Sequence, residues 1–98
     1  MATLSLVTSV FLSKAEALAL LSNTLGVQLI FDDPADATLA LPESAVLSIE
    51  VPKFGEDLPV TLDIEHANRE VLSRVAADFA RRLEAELEWT TQALPIRD

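Results

Sequence analysis

The sequence predicts a single α+β domain, and three observations lead to it. Two stretches carry apolar residues at helical spacing, several others alternate apolar and polar residues as strands do, and 98 residues suffice for one core but not for two. The elements follow in the order β-α-β-(β)-β-β-α-β, in which the bracketed strand is left open. The most economical arrangement is a mixed or antiparallel sheet of roughly four to six strands with two helices on one face, a two-layer sandwich of the ferredoxin-like kind. We expect this domain to span residues 1–91 and residues 92–98 to form a C-terminal tail.

The segment 68–87 has the clearest helical pattern. Its apolar residues recur at steps of three and four and would form one stripe of a helix. This stripe consists of Val71, Leu72, Val75, Ala76, Phe79, Leu83 and Leu87. Asn68 can cap the first amide groups, whereas the end near Ala85 is weakly defined because no glycine follows. The opposite face predicts i,i+4 ion pairs, namely Glu70 with Arg74, Arg74 with Asp78, Asp78 with Arg82, and Arg82 with Glu86.

A shorter helix is predicted between Ser13 and Gly26. Ser13 and Glu16 match a capping box, in which each side chain accepts a hydrogen bond from the backbone amide of the other residue. Leucines at helical spacing follow this signal. Gly26 stands where a helix ends in the left-handed conformation, which glycine adopts without steric cost.

Five segments are predicted as strands, because they alternate apolar and polar residues or form a short apolar run. They are residues 2–11, 27–31, 45–51, 60–65 and 87–90. The residues 52–57 favour the loop of an antiparallel hairpin. In the last strand Leu87 and Trp89 would face inward, and Trp89 is expected to anchor the core. Whether residues 37–41 add a short edge strand is left open.

The chain is acidic, with a formal net charge of −9 at pH 7. Most of this charge lies between Asp32 and Glu65, where Lys53 is the only basic residue. A negative field repels phosphate backbones and anionic lipids, so we expect neither nucleic-acid nor membrane binding. The same field would attract a basic protein. The alternative is that the charge serves only to keep the protein dissolved.

Cysteine content and the pattern of the first residues bear on where in the cell the protein is located. Cysteine is absent, which excludes disulfides and thiolate zinc sites. No basic residue precedes the apolar start of the chain, as it would in a signal peptide, and the uncharged run ends at Lys14, short of the ~20 apolar residues that cross a bilayer. We expect a cytoplasmic protein.

No residue pattern predicts catalysis, a cofactor or a metal ion. Asp32, Asp33 and Asp36 form the tightest carboxylate cluster, but a calcium loop needs more ligands at fixed spacing, and an Asp-rich turn after a strand accounts for them. His66 is the only histidine, and a polar residue at the strand-to-helix junction is preferred to a general base because no activated nucleophile accompanies it. With glycine at positions 26 and 55 alone, a glycine-rich phosphate loop is excluded.

If both helices cover one face of the sheet, the other face is free and acidic. The candidate protein interface on it consists of Val46, Glu50, Asp63, Glu65 and Glu88. Carboxylates mixed with exposed aliphatic residues suit protein docking, although a plain solvated face would look the same.

The first functional hypothesis is therefore a non-enzymatic, acidic protein-binding module, in its sharpest form an inhibitor or immunity-type protein that masks a basic site on a partner. One alternative is a small enzyme or ligand-binding domain that uses His66 with Asp32 and Asp33. Another is a structural subunit that self-associates, for instance as a homodimer, through a sheet edge or face.

Overall fold

Most of the segments predicted as strands form one sheet. The computed structural model describes residues 1–31, 38–50 and 59–98, and for Ile30 and Phe31 it describes the backbone alone. These described residues form six strands and two helices. The strands are β1 (Ala2–Thr8), β2 (Gln28–Phe31), β3 (Thr38–Ala40), β4 (Val46–Glu50), β5 (Thr61–His66) and β6 (Thr91–Ala93), and the helices are α1 (Lys14–Asn23) and α2 (Arg69–Leu87).

The predicted helix signals are confirmed at both N-termini. Ser13 Oγ accepts from the Glu16 amide at 3.1 Å, and Glu16 Oε1 accepts from the Ser13 amide at 3.3 Å, which completes the capping box of α1. Asn68 Oδ1 accepts from two amide groups at the start of α2, those of Glu70 and Val71. After α1, Gly26 has the expected left-handed conformation, with a φ of +69°.

The sheet is antiparallel throughout its described strands, which lie in the order β2-β3-β4-β5-β1-β6. The predicted hairpin of the fourth and fifth strands is confirmed, since β4 and β5 pair directly. Leu4 lies opposite Ile64, and Ile64 lies opposite Leu47, so their side chains share one face. The apolar residues of this face are buried, and they are Leu4, Leu6, Leu39, Leu47, Ile49, Leu62 and Ile64.

Both helices contribute to the core that covers this apolar face. α1 packs against β4, and α2 packs against β1, β5 and β6. Leu21 and Phe79, from the two helices, belong to the same cluster of buried residues as the strands. Trp89 is 4% exposed in that cluster, as predicted for a core anchor. Among the described helices, none is long and apolar enough to cross a membrane.

The predicted strand over 87–90 is wrong. Leu87 is still part of α2, and Glu88 ends the helix in the left-handed conformation, with a φ of 60°. The Glu88 amide donates to the Glu84 carbonyl, and the Trp89 amide donates to the Leu83 carbonyl. These bonds give the last carbonyls of α2 partners, and they are the pattern of a helix C-terminus rather than of a strand.

The C-terminal residues also differ from expectation. Instead of a tail over 92–98, Gln92 and Ala93 belong to β6, and Arg97 exchanges two backbone hydrogen bonds with Thr3 of β1. The reason is that β1 would otherwise present unpaired backbone groups along one side, and this segment pairs with them.

The open question over residues 37–41 is resolved by β3, which lies inside the sheet between β2 and β4 rather than at an edge. The α+β class is confirmed. The ferredoxin-like order and the two-layer sandwich stay predictions, since β2 and β3 extend the sheet beyond β4. The predicted Asp-rich turn at Asp32, Asp33 and Asp36 and the hairpin loop over 52–57 lie outside the described residues.

Candidate protein-binding face

The side of the sheet opposite the apolar core is lined by small polar residues and carboxylates. We call it the acidic sheet face, and its central residues are Thr3, Ser5, Val7, Val46, Ser48, Glu50, Thr61, Asp63 and Glu65. Strand alternation places these residues together, because they alternate along their strands with buried residues of the core such as Leu4, Leu47 and Leu62. The face therefore follows from the same pattern that builds the hydrophobic core.

The structure brings four of the five predicted interface residues together on this face. Glu65 lies directly opposite Val46, and Asp63 lies two positions along the same strand, opposite Ser48. Glu50 is exposed at the end of β4, whereas the other three are half-buried by their neighbours. Within the described part of the chain, neither Glu50 nor Glu65 forms a salt bridge.

Asp63 differs from these two carboxylates because it belongs to a polar network. Ser5 Oγ donates to Asp63 Oδ1 at 2.5 Å and accepts from Arg97 Nη2 at 2.7 Å. The Arg97 guanidinium also approaches Asp63, with 3.8 Å between Nη2 and Oδ1. Ser5 is 3% exposed, so this hydroxyl is shielded from water and depends on protein partners.

Ser5 and Arg97 were not among the residues predicted for this face. The alternation of Ser5 with Leu4 and Leu6 is a signal that places it on the side away from the core. Arg97 carries no such signal, since it lies in the segment predicted as a tail. It reaches the network because its backbone pairs with Thr3.

Glu88, the fifth predicted residue, lies apart from the others in the fold. It is exposed at the C-terminal cap of α2, not on a strand. Its place follows from the extension of α2 to Leu87, so its assignment to the same face no longer has the strand alternation to support it.

His66 lies at the end of β5, at the predicted junction with the following helix. Its Nδ1 accepts from the Asn68 amide at 2.8 Å, and its Nε2 lies 2.9 Å from the carbonyl oxygen of Glu43. This arrangement fits a neutral ring with the proton on Nε2, since Nδ1 must be an acceptor. Both ring nitrogens are engaged by the backbone, so the ring joins the turn Pro42–Ser44 to the start of α2.

The exposed side of α2 forms fewer internal ion pairs than predicted. Of the four predicted pairs, that of Arg82 with Glu86 is present at 3.2 Å. Arg74 instead binds both carboxylate oxygens of Glu43 at 2.5 Å, and this hydrogen-bonded anion raises the pKa of Arg74. Asp78 pairs with Arg81. The long arginine side chain reaches the distant turn Pro42–Ser44 as readily as the next turn of its own helix, and sequence spacing does not predict this contact.

Nothing in the described ranges gathers three or more histidine, aspartate or glutamate side chains around a position for a metal ion. A comparison with known proteins finds no matching family model, no matching curated protein and no matching solved structure. The proposals below therefore depend on the geometry of this chain alone.

Proposed function

We propose that this protein is a non-enzymatic binding module that presents its acidic sheet face to a basic protein. The observation that supports the proposal is the position of Glu50 and Glu65, which lie on one face of the sheet and form no salt bridge in the described part of the chain. An inhibitor or immunity-type protein, which masks a basic site, is the sharpest form of this function. The two-layer arrangement belongs to the proposal, because it leaves this face open.

Physical chemistry favours such a role for this face. Val46 and Val7 supply apolar contact area between the carboxylates, and the surrounding threonine and serine side chains are small enough to permit close approach. The net charge of −9 extends the attraction to the whole molecule and would accelerate encounters with a cation-rich partner. Complementary charge then contributes mainly to the rate of association and to the choice of partner.

The test compares two variants with the same change in charge. Glu50→Gln with Glu65→Gln neutralises the acidic sheet face, and Glu70→Gln with Glu84→Gln neutralises two exposed positions on α2. Each variant is used to capture proteins from the cells that produce this chain, and the captured protein is then purified for titration. We expect one basic protein, whose affinity falls roughly tenfold for the face variant and changes little for the helix variant.

Salt provides the second arm of this test. Since exposed charges are screened over about 8 to 10 Å at physiological salt, the wild-type affinity should fall as salt rises, and the face variant should depend less on salt. Equal losses for both variants, or a complex that is insensitive to salt, would contradict the proposal.

The alternatives stay predictions. An enzyme that uses His66 would need a free ring nitrogen, whereas both nitrogens have backbone partners in this structure, and Asp32 and Asp33 lie outside the described residues. Self-association is measurable by sedimentation, in which a dimer at micromolar concentration would support a structural subunit.

A further inference from the structure

The C-terminal strap, which we define as residues 91–98, closes the outer edge of β1. β6 pairs with β1 from Leu6 to Thr8, the Leu94 amide donates to the Ser5 carbonyl at 2.9 Å, and Arg97 exchanges backbone bonds of 2.7 and 2.9 Å with Thr3. Arg97 then places its guanidinium on Ser5 Oγ and near Asp63. The strap thus combines strand pairing with one charged side chain on the acidic sheet face.

The strap buries little apolar surface. Of its residues, Thr91 and Ile96 are half-buried and the others are exposed, with Leu94 41% exposed. The buried anchor of this region is Trp89, which precedes the strap. Because segments with few buried contacts open at low free energy, the strap can detach while Trp89 keeps α2 and the core in place.

Detachment would expose a defined binding site. The backbone groups of Thr3 and Ser5 that face the strap would lose their partners, which makes the edge of β1 a template for another extended chain. Beside this edge, Ser5 Oγ and the Asp63 carboxylate would lose the guanidinium that they now contact. An incoming strand with an arginine at the corresponding position would replace both sets of contacts.

We propose that the outer edge of β1 is a strand-addition site for an extended, arginine-bearing segment of the basic partner, and that the C-terminal strap occupies this site in the free protein. The proposal rests on the proposed function, because Asp63 belongs to the acidic sheet face. It adds a mode of binding and a regulatory contact, since Arg97 competes with the arginine of the partner.

The chemistry of the site selects arginine over lysine. A guanidinium is planar and carries several N–H donors, so it can donate to a hydroxyl and approach a carboxylate at once, as Arg97 does. A lysine ammonium is a compact point charge without this fork. We therefore expect a preference for arginine at this position of the added strand.

Hydrogen exchange tests whether the strap opens. The Leu94 amide, bonded to Ser5 at 2.9 Å, is compared with the Thr8 amide, bonded to the Val60 carbonyl at 3.0 Å on the inner side of β1. In the full chain we expect Leu94 to exchange at least roughly tenfold faster than Thr8, because local opening of the strap leaves the inner pairing intact. Equal protection of the two amides would overturn the proposal.

Peptide binding tests the site itself. The probe is the octapeptide TQALPIRD, which repeats residues 91–98, and the matched peptides carry glutamine or lysine in place of arginine. Each is titrated into the full chain with Arg97→Gln, and nuclear magnetic resonance follows the amides of Thr3 and Ser5. We expect the arginine peptide to bind roughly tenfold more tightly than the glutamine peptide, with the lysine peptide between them.

A second variant shows whether Ser5 contributes to the preference for the arginine peptide. Ser5→Ala in the Arg97→Gln chain should reduce the difference between the arginine and glutamine peptides, because only Asp63 then faces the guanidinium, whereas Glu84→Gln in the same chain should leave the difference unchanged. No binding, or equal binding of all peptides to the Arg97→Gln chain, would overturn the proposal. A dimer of the full chain formed by exchange of the strap would also overturn it, because the edge would then serve a second copy.

The two proposals fail separately. If the three peptides bind equally but the Glu50→Gln and Glu65→Gln variant still loses the captured protein, strand addition is wrong and the proposed docking on the acidic sheet face is supported. If the arginine peptide binds more tightly than the others but the face variant binds the captured protein normally, the edge of β1 is the binding site and the acidic sheet face is not.

Discussion

Replacement of Asp63 by alanine should destabilise the fold more than replacement of any other carboxylate on the acidic sheet face. Asp63 accepts a 2.5 Å bond from Ser5, which is 3% exposed, and a hydrogen bond to a charged group contributes about 1.5 to 3 kcal/mol. The Arg97 guanidinium is mostly exposed and lies 3.8 Å away, so it adds less than about 1 kcal/mol. We therefore expect Asp63→Ala to lower the free energy of unfolding by about 2 to 3 kcal/mol.

Urea unfolding followed by circular dichroism measures this loss. Glu65→Ala is the matched control, because Glu65 lies two positions along the same strand and forms no salt bridge within the described residues. It should change the free energy of unfolding by less than about 0.5 kcal/mol. If the slope of the unfolding free energy against urea concentration is the same for both variants and the wild type, the difference in stability does not come from a change in the unfolded state.

A double-mutant cycle with Ser5→Ala identifies the contact. Ser5→Ala alone should cost about 1.5 to 3 kcal/mol. The double variant should cost less than the sum of the single variants, because the two residues share one bond. Additive losses, or an Asp63→Ala protein within about 0.5 kcal/mol of the wild type, would refute the reasoning. Because Asp63 stabilises the fold, substitutions of Glu50 and Glu65 test binding without this loss of stability.

Three other substitutions have expected outcomes. Glu88→Gly should stabilise the protein by about 0.5 to 1 kcal/mol, because glycine tolerates the φ of 60° at this helix end; a rise in melting temperature checks it, and Glu88→Ala should show no rise. Gly26→Ala should destabilise by about 1 kcal/mol in urea unfolding, although an added Cβ would meet no atom within 4 Å, since the φ of +69° is the obstacle. Leu83→Ala, fully buried in α2, should cost about 2 to 5 kcal/mol by the same measurement, and a loss below about 1 kcal/mol would contradict its place in the core.

The sequence predicts best the helices that combine apolar residues at helical spacing with a recognisable capping residue. α1 has the Ser13 and Glu16 pair and then Gly26, and α2 has Asn68 before a long apolar stripe. The pairing of β4 with β5 follows from two alternating segments close together in the chain. Local information is sufficient in each of these cases.

The parts that escaped prediction depend on contacts between distant residues. Glu88 adopts a conformation that usually calls for glycine, so the sequence gives no clear end for α2, and the strand predicted over 87–90 overlaps the end of this helix. β6 has a weak pattern of its own and forms because β1 offers an edge. The contact of Ser5 with Arg97 joins residues 92 positions apart, and sequence spacing carries no information about it.

The place of β1 in the sheet, next to the edge strand β6, has a consequence for how the chain is made. Its neighbours are β5 and β6, and the contact of Ser5 with Asp63 spans 58 positions. At roughly 5 to 20 residues per second, a ribosome would leave this apolar strand without its neighbours for several seconds. Native pairing of β1 must therefore wait for segments that are made later, and this long sequence separation predicts slow refolding for so small a domain.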